Sequence, residues 1–330
     1  MILKDGDVLK LLSLFSGIGA FEKALTNIGV DYELVGFSEI DKWAIQSYCA
    51  IHGVDKNKNL GDVSKITNEQ IKELGSIDLI THGSPCQDFS EVGTRCGGDK
   101  GSGTRSSLMW ETVRIVEQSK PKYVIWENVK GVLYKNNRHN FDKYLFKMAQ
   151  MGYKNNYYVL NSLNYGVPQN RERVFVISST NKDIDLNKLT EKQFKPITTI
   201  LDSNNQINYL NQQTQQHLFK NKNKQIMELY DVGASRGRFD KIQNKNIQRF
   251  EINKQGVANT ITSVLKDNII FDVSGLRYFT PLEYWRLMGF DDGDYFKVRG
   301  IGTPNTQLYK LASNSIVVPV VEEIVDKIVN

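Results

Sequence analysis

"IDLITHGSPCQDFS", residues 77–90, is an apolar run that breaks into Gly83, Ser84, Pro85, Cys86 and Gln87. The run reads as a buried strand. A structural cysteine would sit inside it, whereas Cys86 lies just beyond, in the crevice where open α/β sheets bind their ligands. Cys49 and Cys96 complete a set of three cysteines with no C-x-x-C pair. That count argues against a disulfide framework or a zinc site. The chemistry left for a lone thiol in such a place is nucleophilic, as a thiolate whose pKa a nearby cation would lower.

On both sides of this stretch, short apolar runs alternate with amphipathic ones. Strands are expected at 9–15, 33–39, 77–83, 122–128, 157–161 and 173–178. Helices are expected between them in "IGAFEKALTNIG", "DKWAIQSYCAIHG" and "LMWETVRIVEQSK", with Gly29 and Gly53 as stops. This order predicts an α/β fold, a doubly wound and mostly parallel sheet with helices on both faces. Past residue 180 the pattern fades. Residues 181–270 hold 23 Asn and Gln, and 14 Lys and Arg against 9 Asp and Glu, which is the whole net charge of +5. A polyanionic partner explains that asymmetry, and so does a solvated Lys- and Asn-rich insertion. We expect a second, smaller and irregular domain here. Strand character returns at 259–273, a helix capped by Thr280 with Pro281 in its first turn follows, and the apolar segment 315–330 packs back on the first sheet. The opening "MILKDGDVLKLLSLF" carries charges where a signal peptide needs an apolar core, and no run approaches a membrane span, so a soluble intracellular protein is expected.

Four motifs carry chemistry. In "LFSGIGAFEKAL" (14–25), Gly17 and Gly19 let the chain turn tightly between strand and helix, so a ligand can approach the backbone. Glu39, at the tip of the second strand, can accept ribose hydroxyls; its alternative is a helix cap beside Asp41. With no third glycine and no phosphate-holding lysine, a nucleoside without phosphates fits better than a dinucleotide. Cys86 is the second motif, followed by a segment with five glycines between 93 and 103, a composition suited to a closing loop. "WENVKG" (126–131) sets Glu127 at another strand end, where a carboxyl in a dry site can act as a general acid. "PQNRERVFVIS" (168–178) places Arg171 and Arg173 two apart, on one face of a strand opening.

Gly17-x-Gly19, Pro85-Cys86-Gln87, Glu127-Asn128-Val129, Gln169-x-Arg171-x-Arg173, "RYFTPLE" (277–283) and "SNSIVVPV" (313–320) occur in the order seen in cytosine-C5 DNA methyltransferases. The chain resembles that family from residue 11 to about 325, apart from 181–270. The resemblance implies a catalytic domain of 1–180 completed by 305–330, and a target-recognition domain of 181–304. It implies that a cytosine is flipped out of duplex DNA. Cys86 would attack ring carbon 6. Glu127 would hold the exocyclic amine and ring nitrogen 3, Arg173 the base's O2, and Arg171 the nucleophile region.

The implied methyl donor is S-adenosylmethionine, leaving as S-adenosylhomocysteine, with no metal. It would lie over Phe15, Gly17, Ile18 and Gly19, with Glu39 on the ribose, Asp62 on the adenine amine, and Ile40, Val63, Pro85, Leu108, Asn314 and Ile316 around it. Ala20 and Ile40 depart from the family, which often has a glycine and an aromatic at those positions. DNA contacts are expected from Gln87, Ser90, Gln169, Arg236, Arg238 and the Thr260-Ile261 pair of "ANTITS" (258–263). The implied partner is double-stranded DNA, with a restriction endonuclease as functional counterpart. The implied setting is the bacterial cytoplasm, with no membrane association and a monomeric state. Two rivals stay open: a tRNA cytosine methyltransferase on the same scaffold, and a catalytically inactive DNA-binding relative.

Overall fold

The structure is a computed structural model that describes residues 8–85, 105–181, 183–203, 209–223, 226–240 and 244–329. Cys86, Gln87, Ser90, Cys96 and the glycine-rich segment lie outside the described residues. The described chain divides into two compact units: residues 1–160, 172–190 and 318–330, and residues 161–171 and 191–317.

The first unit is built on a six-stranded sheet. Its strands are β1 (Leu9–Leu14), β2 (Tyr32–Ser38), β3 (Leu79–His82), β4 (Tyr123–Val129) and β5 (Lys154–Asn161), joined by a later strand, Glu172–Ser179. A two-residue strand of the other unit, β6 (Gln169–Asn170), precedes that later strand, which is therefore β7. The sheet order is β2-β1-β3-β4-β7-β5, with β1–β2, β1–β3 and β3–β4 parallel. The expected parallel arrangement holds for that half. β7 runs antiparallel to β4, an orientation that a list of apolar runs does not reveal. The helices are α1 (Ala20–Asn27), α2 (Lys42–His52), α3 (Asn68–Glu73), α4 (Met109–Ser119) and α5 (Arg138–Gln150).

Capping follows the sequence. The Asp41 carboxylate accepts from the Trp43 and Ala44 N–H groups at the start of α2, and Gly53 ends that helix in the left-handed region. β3 is buried along its whole length, as its apolar run requires.

In the second unit, α6 (Gln212–Lys220) packs on a four-stranded antiparallel sheet. That sheet comprises β8 (Val232–Asp240), β9 (Lys245–Ile252), β11 (Ile269–Asp272) and β12 (Gly275–Tyr278), while β10 (Ala258–Asn259) pairs with β6. The region expected to be irregular therefore contains a regular sheet. The alternation in β8 and β9 is hidden because Arg236 to Phe239, Lys245, Asn246, Gln248 and Arg249 are exposed on both faces of the hairpin.

Three further helices follow: α7 (Pro281–Leu287), α8 (Asp292–Gly300) and α9 (Asn305–Asn314). Thr280 and Glu283 form the capping box that opens α7, with Pro281 in the first turn as the sequence suggests. α9 groups with this unit although 305–330 was expected to complete the first. Trp285 Nε1 donates to the Leu308 carbonyl at 3.1 Å, and Tyr284 meets Tyr309 edge to face. The last helix, α10 (Val318–Val329), groups with the first unit and reaches α1, where Asn27 donates to Glu322 at 2.6 Å. Among the described residues no helix is long and apolar enough to cross a membrane.

His82, at the tip of β3, is wholly buried beside Trp126, with Nε2 3.3 Å from the Tyr144 hydroxyl. Burial pushes its pKa down to about 3 from an ordinary value of 6.5. Between those values only the unfolded chain takes up the proton. This contribution to stability is therefore complete above pH 6.5 and is lost as the pH falls, by about 1.4 kcal/mol per pH unit. Urea melts at pH 6.5 and pH 5 should show about 2 kcal/mol more acid loss in the unmodified protein than in His82→Phe. Equal losses in the two proteins would contradict this account.

Candidate active site

In the first unit, two clusters gather where the carboxyl ends of the parallel strands meet the amino end of β7. The first surrounds the turn after β1. Phe15, Gly17 and Gly19 all have positive φ, of 53°, 56° and 78°. For Phe15 this is a costly conformation, of a kind that persists where the surroundings impose it. At Gly19 the need for glycine is also steric, since a Cβ would stand 2.1 Å from His52 Nε2. That ring nitrogen lies 3.1 Å from the Ile18 carbonyl, so α2 supports the turn from behind.

From the front, the Glu39 carboxylate accepts three backbone N–H groups. Gly17 donates to Oε2 at 2.9 Å, while Ile40 and Asp41 donate to Oε1 at 2.8 and 2.9 Å. A carboxylate offers about four acceptor positions, so one remains, on Oε2. As Glu39 stands it can take one ligand hydroxyl. A second would require Gly17 to release its bond.

Asp62, further along the chain, caps the short turn Val63–Lys65. Its Oδ1 accepts from the Ser64 N–H at 3.0 Å and the Ser64 hydroxyl at 2.8 Å, and these bonds lower its pKa. Ile40 is 74% exposed, offering an apolar surface beside Glu39. Ile18 and Val63, expected around the same ligand, have buried side chains, which leaves only their backbones to meet one. Leu108 packs against the core at the start of α4.

The second cluster lies along β3, β4 and β7. Arg173 Nε stands 3.1 Å from Glu127 Oε1, with side chains 16% and 12% exposed. The register pairs Glu127 with Phe175 and Val129 with Arg173, so the ion pair is a diagonal contact on one sheet face. Arg173 Nη1 also donates to the Glu172 carbonyl at 2.7 Å, which fixes the guanidinium at a second point. The neighbouring side chains of β4 project from the opposite face. There Trp126 Nε1 donates to Ser84 Oγ at 3.0 Å, and Asn128 Nδ2 donates to the Ser84 carbonyl at 3.1 Å. Ser84 is followed by Pro85, the last residue described before Cys86. Strand β4 thus presents a carboxylate on one side and anchors Ser84 on the other. Sequence reasoning missed Trp126 and Asn128 as anchors.

In the second unit, Arg171 and Gln169 are both held by backbone groups. Arg171 is buried and donates to the carbonyls of Ile261 (3.1 Å), Ser313 (3.0 Å) and Ser315 (2.9 Å). It clamps the Thr260-Ile261 loop to the turn that carries Asn314. Gln169, expected to meet DNA, is completely buried. Its Oε1 accepts from the Ile261 N–H at 3.0 Å and its Nε2 donates to the Leu287 carbonyl at 2.8 Å. An amide buried and engaged in this way has no exposed edge to offer a base, and its role in the structure is to hold Ile261 and Leu287. The side chain of Ile261 is buried as well, while the Thr260 hydroxyl donates to the Asn170 carbonyl at 2.8 Å. Asn314 is exposed at the end of α9, with Ile316 half-buried beyond it.

Arg236 and Arg238 are exposed on the β8–β9 hairpin. Arg236 stands opposite Arg249, and Arg238 Nη2 pairs with Glu251 Oε2 at 2.7 Å. Two arginines directly across an antiparallel pair repel each other, and here Arg249 is neutralised by Asp240 at 3.1 Å.

Residues 9–330 match the family model of the C-5 cytosine-specific DNA methylases. The orphan methyltransferase M.SPBetaI of Bacillus phage SPbeta is 31% identical over 436 aligned positions, covering 98% of each chain. The type II methyltransferase M2.ScrFI of Lactococcus lactis subsp. cremoris is 32% identical over 372 positions, covering 96% of this chain and 98% of its own. The crystal structure of the S. pombe Dnmt2 methyltransferase superposes with a TM-score of 0.71 at 19% identity, covering 97% of this chain and 98% of that one. The Entamoeba histolytica methyltransferase EhMeth gives 0.67 at 17%, with coverage of 97% and 98%. At such identities the likeness is one of fold.

Proposed function

This chain belongs to the C-5 cytosine-specific DNA methylases, and from that premise we propose that it methylates carbon 5 of a cytosine flipped out of a specific duplex sequence, through a transient bond to Cys86. The observation that carries this reading is the Glu127–Arg173 pair, held beside the strand that delivers Ser84 and Pro85 to Cys86.

The Watson–Crick edge of cytosine presents an acceptor at O2, an acceptor at N3 and a donor amine at N4. Arg173 can donate to O2, and Glu127 can serve N3 and the amine. With the ring so held, the Cys86 thiolate adds to carbon 6, and Glu127 balances the charge that builds at N3. Carbon 5 becomes nucleophilic. After methylation it loses its proton, the bond to Cys86 breaks, and the aromatic ring is restored. S-adenosylmethionine, when bound, supplies an electrophilic methyl group. The left-handed turn at Gly17 and Gly19, the remaining acceptor position on Glu39 and the exposed Ile40 suit a nucleoside of that kind.

Residues 181–304 supply sequence recognition in this reading, with Arg236 and Arg238 of the hairpin as first candidates for phosphate or base contact. The test is to incubate the purified chain with labelled donor and either duplex DNA or tRNA, and then map 5-methylcytosine. Transfer to duplex DNA at one recurrent sequence is expected. Exchanging 181–304 for that of a relative of different specificity should move the methylated sequence to the relative's. Transfer to tRNA alone, or to nothing, would overturn the reading. An active exchange variant that keeps the original sequence would place recognition elsewhere.

A further inference from the structure

Asn59 lies in "KNKNLGD" (56–62), a Lys- and Asn-rich stretch that looks like a solvated connection. In the structure the stretch runs beside the end of β2. Phe37 and Asn59 form a parallel bridge, and the Leu60 N–H donates to the Phe37 carbonyl at 2.7 Å. The Asn59 side chain closes this contact with three hydrogen bonds. Its Oδ1 accepts from the Glu39 N–H and the Gly61 N–H, both at 3.1 Å, and its Nδ2 donates to the Glu39 carbonyl at 3.0 Å. Both backbone groups of Glu39 are thus held by one amide. Gly61 is held again by Ser38, whose hydroxyl donates to the Gly61 carbonyl at 2.6 Å.

The consequence follows from what Glu39 and Gly61 carry. The Glu39 carboxylate spans from its own N-terminal neighbourhood of α2 to the Gly17 N–H, and it keeps one acceptor position on Oε2. Gly61, at a φ of 73°, delivers Asp62. We infer that Asn59 is a positioning residue for the methyl donor, setting Glu39 and the Gly61-Asp62 turn together without touching the donor itself. Only a side chain with an acceptor and a donor on one carbon meets this pattern. Aspartate keeps the two N–H contacts but turns an acceptor-only oxygen toward the Glu39 carbonyl, which repels it. Alanine loses all three.

The inference rests on reading Glu39 as a donor contact, and a double-mutant cycle separates the two claims. The full chain is titrated with S-adenosylhomocysteine by calorimetry as the unmodified protein, Glu39→Gln, Asn59→Ala, Asn59→Asp and the Glu39→Gln/Asn59→Ala double variant. Asn59→Ala should weaken binding about ten-fold, the scale of lost hydrogen bonds around a charged group. Asn59→Asp, which keeps the backbone N–H partners but sets a carboxylate oxygen against the Glu39 carbonyl, should also weaken binding and keeps the test available if the alanine variant does not fold. Because Asn59 acts in part through Glu39, the loss in the double variant should fall clearly short of the product of the two single losses. In turnover, Asn59→Ala should raise the KM for the donor while kcat at saturating donor and the KM for DNA hold. Asn59 variants that bind normally, or losses that multiply in the double variant, would overturn the inference. Normal binding by Glu39→Gln would instead remove the donor role of Glu39 and the inference with it.

Discussion

Duplex DNA carrying 5-fluorocytosine at the target position is expected to become covalently attached to this chain in the presence of S-adenosylmethionine. The Cys86→Ala protein is expected to bind the same duplex and form no adduct. Fluorine at carbon 5 cannot leave as a proton does, so the ring stays saturated and the bond from sulfur to carbon 6 persists. The expectation rests on the match of Pro85-Cys86-Gln87 to the family's motif and on the anchoring of Ser84 two residues earlier, by Trp126 and Asn128. Methyl transfer to ordinary cytosine should fall in Cys86→Ala by several orders of magnitude. Loss of a single nucleophile in other enzymes has cost on the order of 10⁶. Denaturing gel electrophoresis of labelled duplex reads the adduct directly. An adduct that survives the substitution would show that another group attacks the base.

What could be read from sequence divides along physical lines. β1, β3 and β4 were legible because strands buried on both faces are continuous apolar runs, and few other elements look like that. The turn at Gly17 and Gly19, the capping of α2 by Asp41 and the capping box at Thr280 were legible because each is a local rule satisfied by adjacent residues. The pairing of Glu127 with Arg173 could be expected as chemistry, but the antiparallel β7 that creates it could not. Strand direction depends on the connection, which leaves no periodic mark in the strand itself.

The β8–β9 hairpin escaped because its distal half, Ile247 apart, is exposed on both faces. Arg171 and Gln169 were read by their chemistry as site residues, Arg171 at the nucleophile region and Gln169 at the DNA. Their partners are carbonyls and an N–H up to 144 residues away, and backbone groups carry no sequence signature. Asn59 escaped for the same reason, since all three of its partners are backbone atoms.

The second large effect is expected at Glu127. In the structure its carboxylate is paired with Arg173 at 3.1 Å in a largely buried setting, and the guanidinium is tied again to the Glu172 carbonyl. A bound cytosine would be recognised by both partners, with O2 facing Arg173 and the N3 and amine edge facing Glu127. Glu127→Gln keeps the length and the hydrogen-bonding reach of this side chain, so the base can still be held and DNA affinity should change less than about ten-fold. The amide cannot supply or take up a proton at N3, and charge that builds on the ring as Cys86 adds is left uncompensated. General acid–base assistance of this kind is typically worth about 10²–10⁴-fold, and the single-turnover rate at saturating DNA and donor should fall by that factor. Adduct formation with 5-fluorocytosine should slow in parallel, because the same step is impaired, whereas Cys86→Ala removes it altogether. The discriminating result is the ratio of the two losses. A single-turnover rate close to that of the unmodified protein would mean that Glu127 serves only to hold the base, and that the proton at N3 comes from another group.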